Sequence, residues 1–198
     1  MPKPIILASG SPRRKELLTM LALPFTVDLP TEFVEFTGQN EPDPAALVLK
    51  NSQGKVKAVA PRHPGALILG VDTVVFCEGQ ILEKPKDRED AFRMLKQLQG
   101  RSHQVFTAQV LLDTESERQL ESVDQTTVTF LPMTDEQIRA YIATDEPMDK
   151  AGAYAAQGIG AQFIQKIDGD FFTVVGLSVS RFMTLYTRLD QAAETPVN

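Results

Sequence analysis

Leu67-Ile68-Leu69-Gly70-Val71-Asp72-Thr73-Val74-Val75-Phe76 is the most apolar stretch of the chain, and it reads as a central strand. It turns at Glu78-Gly79 into a short partner, Gln80 to Leu82. One residue does not fit the run. An unpaired carboxylate at Asp72 inside a core strand would cost several kcal/mol, so it needs a cation, a metal, several donors or a proton. That makes Asp72 a candidate site residue. The alternative is that the strand ends at Gly70 and Asp72 caps a turn.

Outward from this strand, helical and extended patterns alternate. Upstream, Ile5 to Ala8 reads as a buried strand, Pro12 to Met20 as a helix and Phe25 to Asp28 as a second strand. Thr31 to Pro44 is polar and proline-bearing, which predicts a surface loop. Asp43 is placed to cap a helix running to about Ala60, although Asn51-Ser52-Gln53-Gly54 at its centre is poor in helix formers. Downstream, Asp87 is an N-cap for a helix to Leu98, with Gly100 at the C′ position. Val105 to Leu112 and Gln119 to Phe130 read as long antiparallel strands. Thr134-Asp135-Glu136-Gln137 has capping-box spacing. Ala161 to Ile167 reads as a last strand, and Val174 to Leu189 as a final helix with Phe182, Leu185, Tyr186 and Leu189 on one face. The pattern predicts an α/β fold with a mixed twisted sheet flanked by helices. Residues 1–190 are expected to form one domain and residues 191–198 a frayed tail.

Composition narrows the function classes. With 198 residues, 42% apolar and 23% charged, the chain can bury a substantial core and is not a disordered polymer. Its net charge of −6 argues against a nucleic-acid-coating surface, so any anion site must be a local basic pocket. Cys77, the single cysteine, lies in an apolar stretch and reads as a reduced core thiol rather than a reactive one. With that one thiol and the distant His63 and His103, a structural zinc site is not expected. The first residues lack a signal-peptide pattern, and no apolar run approaches the ~20 residues needed to cross a bilayer. These features predict a cytoplasmic protein without membrane or nucleic-acid partners.

The turn Ser9-Gly10-Ser11-Pro12-Arg13-Arg14 carries the sharpest chemical signal. Ser11 is a good N-cap and Pro12 a good first helical residue. Arg13, Arg14 and Lys15 then fill a first turn that the helix dipole already makes positive, at ~0.3–1 kcal/mol per misplaced charge. A phosphate answers the free N–H groups, the dipole and the guanidinium forks together; the alternative is a solvated basic turn offset by Glu16. Lys84 in Glu83-Lys84-Pro85, and Lys150 before the small-residue turn at Gln157-Gly158-Ile159-Gly160, are further candidate phosphate contacts or else ordinary surface turns. Carboxylates are the available metal ligands, which suits Mg²⁺ or Mn²⁺ bridging to substrate phosphates.

Together, Leu7 to Arg14, Gly70-Val71-Asp72-Thr73, Glu83-Lys84-Pro85, Asp149-Lys150-Ala151-Gly152-Ala153-Tyr154 and Gly169-Asp170 to Gly176-Leu177 resemble the Maf family of nucleoside triphosphate pyrophosphatases over about residues 4 to 190. The resemblance implies an inosine-triphosphatase-like fold with a cleft between two lobes. It implies hydrolysis of a nucleoside triphosphate to the monophosphate and pyrophosphate with a divalent cation, and a homodimer. Asp72 matches the catalytic base, and Ser9, Arg13, Arg14, Glu35, Lys55, Lys84 and Gln157 match polar pocket residues. Glu35 and Asp72 are the implied metal ligands, with Glu32 a neighbour competing with Glu35. Arg13, Thr73 and Gln157 resemble the branch acting on dTTP and UTP rather than that acting on 7-methyl-GTP. A role as a nucleotide-binding regulator of septum formation also comes with the resemblance, and a phosphate-ester hydrolase is a third reading of the phosphate grip. Two departures stand out: Ser178 replaces a usual proline, and Ser52-Gln53-Gly54 replaces a more helical stretch before Lys55.

Overall fold

A computed structural model describes residues 3–193. Its sheet has the strand order β2-β1-β3-β5-β6-β7, with β4 paired to β3. The strands are β1 (Ile5–Leu7), β2 (Phe25–Val27), β3 (Leu67–Cys77), β4 (Gln80–Leu82), β5 (Ser102–Asp113), β6 (Gln119–Phe130) and β7 (Ile164–Asp168). β1 runs parallel to β2 and β3, whereas every pairing from β3 through β7 is antiparallel, so the sheet is mixed as the alternating pattern predicts. The helices are α1 (Pro12–Met20), α2 (Pro44–Val59), α3 (Arg88–Leu98), α4 (Asp135–Ile142), α5 (Phe171–Val175) and α6 (Val179–Ala193).

β3 organises both layers because its side chains alternate between faces. Ile68 and Val74 turn toward α2 and meet Val56, Val59, Leu47 and Val48. Leu69 and Val71 turn the other way, onto Leu17 and Leu18 of α1 and Phe182, Leu185 and Leu189 of α6. Val75 joins a further cluster with Leu95 and Leu98 of α3 and Ile138 and Tyr141 of α4. Gly70, an unexpected gap in so apolar a run, is where α2 approaches closest: a Cβ there would meet the Ser52 carbonyl and lie 2.6 Å from Val56 Cγ2. Asp72 consequently faces α2, and its neighbour Thr73 faces α1.

Local signals hold at several ends. Asp43 accepts the Ala45 N–H, Asp87 accepts the Asp90 N–H, and Thr134 and Gln137 form the full capping box. Gly100 has φ +64°, suited to the position after the α3 cap. Cys77 is free and buried, and burial pushes its thiol up.

Four expectations are corrected. Ser11 takes the N-cap position of α1 but makes no side-chain cap bond. The last strand begins at Ile164, not Ala161, because Ile159–Phe163 winds into a 3-10 helix, in which the Ala161 N–H goes to the Gly158 carbonyl at 3.2 Å, and Glu146 anchors its start by accepting the N–H groups of Ile159 and Gly160 at 2.8 and 2.9 Å. The expected final helix is two: α5, capped by Asp170, stops at Gly176 with φ +114°, and α6 starts after Ser178. α6 runs to Ala193, so residues 191–193 of the expected tail are helical, while residues 194–198 lie outside the described residues. No helix among the described residues is long and apolar enough to cross a membrane.

Candidate active site

The start of α1 lines one wall of a deep cleft. Ser9 is held where its Oγ accepts the Ser11 N–H at 3.3 Å and an Arg14 Nη1 hydrogen at 2.8 Å. Arg14 also donates through Nε to the Gly176 carbonyl at 2.9 Å and through Nη2 to Thr73 Oγ1 at 3.2 Å. Thr107 Oγ1 spends its proton on the Thr173 carbonyl at 2.8 Å, so the 2.9 Å Thr73–Thr107 contact must be donated by Thr73. A directed chain therefore runs Arg14, Thr73, Thr107, Thr173, and it explains the break at Gly176: the carbonyl exposed there anchors the guanidinium. Burial, reinforced by the neighbouring Arg13 and opposed by Asp72 and Glu35, brings Arg14 down to about 10, still a cation at neutral pH. Burial also lowers Arg13, against the pull of Asp149, whose Oδ2 lies 3.9 Å from its Nη1. Both guanidiniums are cations that the protein's own carboxylates do not fully compensate.

The floor is built by α2 and β3. Asp72 is a paired buried carboxylate and not a turn cap: Oδ1 accepts from Lys55 Nζ at 2.7 Å, and Oδ2 from Asn51 Nδ2 at 3.0 Å. Lys55 Nζ also donates to the Val71 carbonyl at 3.3 Å and pairs with Glu35 Oε1 at 2.8 Å. The Glu35 carboxyl, pushed up by burial but outweighed by Lys55, Lys84 and Arg14, is lowered on balance. Glu35 reaches the site because Phe33, two residues earlier, lays its ring on Gly54, leaving no space there for a Cβ. Glu32 faces away, in a shallow depression with Phe33 and Lys57 on the other side of α2.

The opposite wall carries Lys84 and Lys150, the latter in contact with Asp149. Ala155 and Ala156 line the cleft, whereas the adjacent Gln157 is exposed and outside the lining set. The turn that carries Gln157 is held by Glu146, which accepts the N–H groups of Ile159 and Gly160 and the Tyr141 hydroxyl at 2.7 Å; the Tyr141 oxygen accepts the Ala155 N–H at 3.1 Å.

The cleft encloses a cavity of about 610 Å³, within the range that holds small-molecule ligands. Arg13, Arg14, Lys55, Lys84 and Lys150 line it against Glu35, Asp72, Glu83 and Asp149, so it is locally basic in a chain of net charge −6. Among the described residues no three His, Cys, Asp or Glu side chains form a metal cluster. Glu35 and Asp72 nevertheless present hard oxygen donors to one shared ammonium. Such a pair suits a Mg²⁺-like ion whose remaining ligands are water and phosphate.

A family model described as a Maf-like protein matches residues 4–189. The chain belongs to the Maf family. A dTTP/UTP pyrophosphatase of Symbiobacterium thermophilum is 45% identical over 184 residues, covering 93% of each chain. Another protein of that name, from Bacillus velezensis, is 46% identical, covering 92% of this chain and 95% of its own. Among solved structures, the Staphylococcus aureus Ham1 protein aligns at a TM-score of 0.50 with 13% identity over 96% of this chain and all of its own, a likeness of fold.

Within this Maf chain the expected residues Ser9, Arg13, Arg14, Glu35, Lys55, Asp72, Thr73, Lys84 and Lys150 all line one cavity. Asn51, Thr107 and Glu146 are the residues that sequence reasoning missed. Only Asn51 left a trace, as a poor helix former one turn before Lys55.

Proposed function

We propose that this protein is a nucleoside triphosphate pyrophosphatase acting on dTTP and UTP. The observation that carries the reading is the meeting, in one cavity, of an uncapped helix start with two partly buried guanidiniums and a fixed carboxylate held by Lys55 and Asn51. The pyrimidine assignment draws on the relatives, which are dTTP/UTP pyrophosphatases.

In the proposed mechanism the triphosphate lies against the first turn of α1, Arg13, Arg14, Lys84 and Lys150. Glu35 and Asp72 would hold Mg²⁺ or Mn²⁺, which when bound neutralises phosphate charge and favours the leaving group. Asp72 orients a water in line with the α-phosphorus and takes its proton as the new P–O bond forms. The α–β bridging bond breaks, pyrophosphate departs with that bond's electrons, and the nucleoside monophosphate remains. Positioning and charge complementarity supply most of the acceleration. Thr73 acts on substrate choice through Arg14, because its hydroxyl proton is committed to Thr107; Gln157, exposed on the turn next to the lining residues Ala155 and Ala156, would meet the base at the rim of the cleft.

The test is product analysis with Mg²⁺ or Mn²⁺ on a panel of dTTP, UTP, CTP, dATP, GTP and 7-methyl-GTP. Monophosphate and pyrophosphate from dTTP and UTP are expected, with turnover abolished in Asp72→Asn while its fold persists. Release of orthophosphate would overturn the reaction class, equal rates on purines the base assignment, and an active Asp72→Asn enzyme the role of Asp72. Tight nucleotide binding without any product would favour a regulator.

A further inference from the structure

Asn51 is 2% exposed and makes three side-chain hydrogen bonds. Its Nδ2 donates to Asp72 Oδ2 at 3.0 Å and to the Phe36 carbonyl at 3.0 Å, and its Oδ1 accepts the Phe36 N–H at 2.8 Å. Both amide hydrogens are thus used. The orientation is also forced: a flipped amide would set oxygen against the Asp72 carboxylate and a donor against the Phe36 N–H. One turn further along α2, Lys55 holds the other Asp72 oxygen at 2.7 Å and the Glu35 carboxylate at 2.8 Å. Asn51 and Lys55 therefore form a four-residue-spaced pair on one face of the helix. Each grips Asp72, and each grips the loop at Glu35-Phe36, one by its backbone and one by its side chain.

We propose that Asn51 is a positioning residue that sets the orientation of Asp72 and registers the Glu35-Phe36 loop against it, so that the two carboxylates move as one unit. The inference rests on the reading of Asp72 as the base. Two bonds to Phe36 would suffice to pin a loop. The third, to Asp72, is surplus to that task, and it leaves the carboxylate with a donor on each oxygen and its remaining lone pairs for the cleft. A carboxylate held by Lys55 alone is free to turn about its own bonds, and a misplacement of about 1 Å in a reacting group costs about 100-fold in rate.

The experiment compares Asn51→Ala, Asn51→Asp and Asp72→Asn with the unmodified full chain, with dTTP as substrate. Asn51→Asp keeps an acceptor for the Phe36 N–H but loses the amide donors to Asp72 and the Phe36 carbonyl and sets a second carboxylate beside Asp72, whereas Asn51→Ala removes every bond without adding charge. In both Asn51 variants kcat should fall at least about tenfold with KM within about threefold, the split expected of lost positioning rather than lost binding. Hydrogen exchange at the Phe36 amide should accelerate in Asn51→Ala and stay near the unmodified rate in Asn51→Asp, which separates the two grips. Urea midpoints identify a folding failure in either variant, and the other variant then decides. Unchanged kcat in a folded Asn51 variant, or a loss confined to KM, overturns the inference. If Asp72→Asn is itself active, the reading of Asp72 has failed; if it is dead while the Asn51 variants are normal, only the positioning role has failed.

Discussion

Lys55→Met removes the ammonium between Asp72 and Glu35 while keeping a stem of similar length. The two ion pairs it breaks differ in kind: the side chains of Lys55 and Asp72 are 7% and 12% exposed, whereas that of Glu35 is 56% exposed. Glu35 can rehydrate, so its share is at most about 1 kcal/mol. Asp72 cannot, and a buried carboxylate left with Asn51 as its donor costs about 3–5 kcal/mol. Asp72→Asn is milder, because Lys55 keeps Glu35 and the Val71 carbonyl. Loss of one charge-assisted bond predicts about 1.5–3 kcal/mol. In the double variant neither charge is stranded, so its cost should be close to that of Asp72→Asn alone. The coupling between the two positions is then about 3–5 kcal/mol, far outside the ~0.3–0.5 kcal/mol within which independent sites add. Urea unfolding of the four proteins at pH 7.5, analysed with a common m-value, measures it. Stability is the deciding readout because each variant is expected to lose turnover. Additive costs, or a Lys55→Met penalty below about 1 kcal/mol, would mean that water reaches the pair and that Asp72 is not the isolated buried acid described above.

Further predictions concern the supports of the site. Gly54→Ala should gain about 1 kcal/mol of helix propensity yet lower activity, because the new Cβ would overlap the Phe33 ring and release the loop bearing Glu35; an unimpaired enzyme with a raised urea midpoint would refute it. His103, brought down to about 4 by burial, stays neutral in the native state while the unfolded chain protonates near 6.5. Its contribution is therefore whole above pH 6.5 and fades as pH falls toward 4, by about 3 kcal/mol, since the unfolded state binds the extra proton. His103→Phe should flatten the stability slope between pH 6.5 and 4.5, and equal slopes in the two proteins would count against this. Glu146→Ala deprives the Tyr141 hydroxyl and the N–H groups of Ile159 and Gly160 of their acceptor, at about 2 kcal/mol. Hydrogen exchange at Ile159 and Gly160 should accelerate and KM for dTTP should rise; unaltered exchange at both amides would show that Glu146 does not hold the turn.

Much of the architecture was readable because its signals are local. The length of the central strand, the caps at Asp43, Asp87 and Thr134, and the turn at Glu78-Gly79 depend on neighbours in sequence. The misreadings have partners far away. The apolar spacing of the final helix continues through Gly176, but the carbonyl freed there is claimed by Arg14, 162 residues away. The pattern at Ala161 is that of a strand, yet Ala161 sits in a 3-10 turn whose start is anchored by the distant Glu146. Alternation along β3 puts Asp72 and Thr73 on opposite faces, yet nothing in that alternation tells which helix covers which face.

The stretch Asn51 to Lys55 turns a weak local signal into a site signal. As helix it is poor, because Gly costs about 1 kcal/mol relative to Ala, and Asn and Ser about half that or somewhat more. The structure answers each departure with a tertiary partner. Asn51 takes Asp72 and Phe36, Ser52 lays its carbonyl against Gly70, Gly54 receives the Phe33 ring, and Lys55 joins the two carboxylates. The same reasoning covers the acid in an apolar strand and the arginines at a positive helix end. Three local violations, separated by tens of residues, line one cavity, where protein groups satisfy the first two and leave the third incomplete. Arg13 and Arg14 still lack full compensation, so an anion bound there relieves a cost already present in the free protein. Pyrophosphate should accordingly raise the urea midpoint of the unmodified protein more than that of Arg13→Ala, and an equal rise in both would place the anion elsewhere.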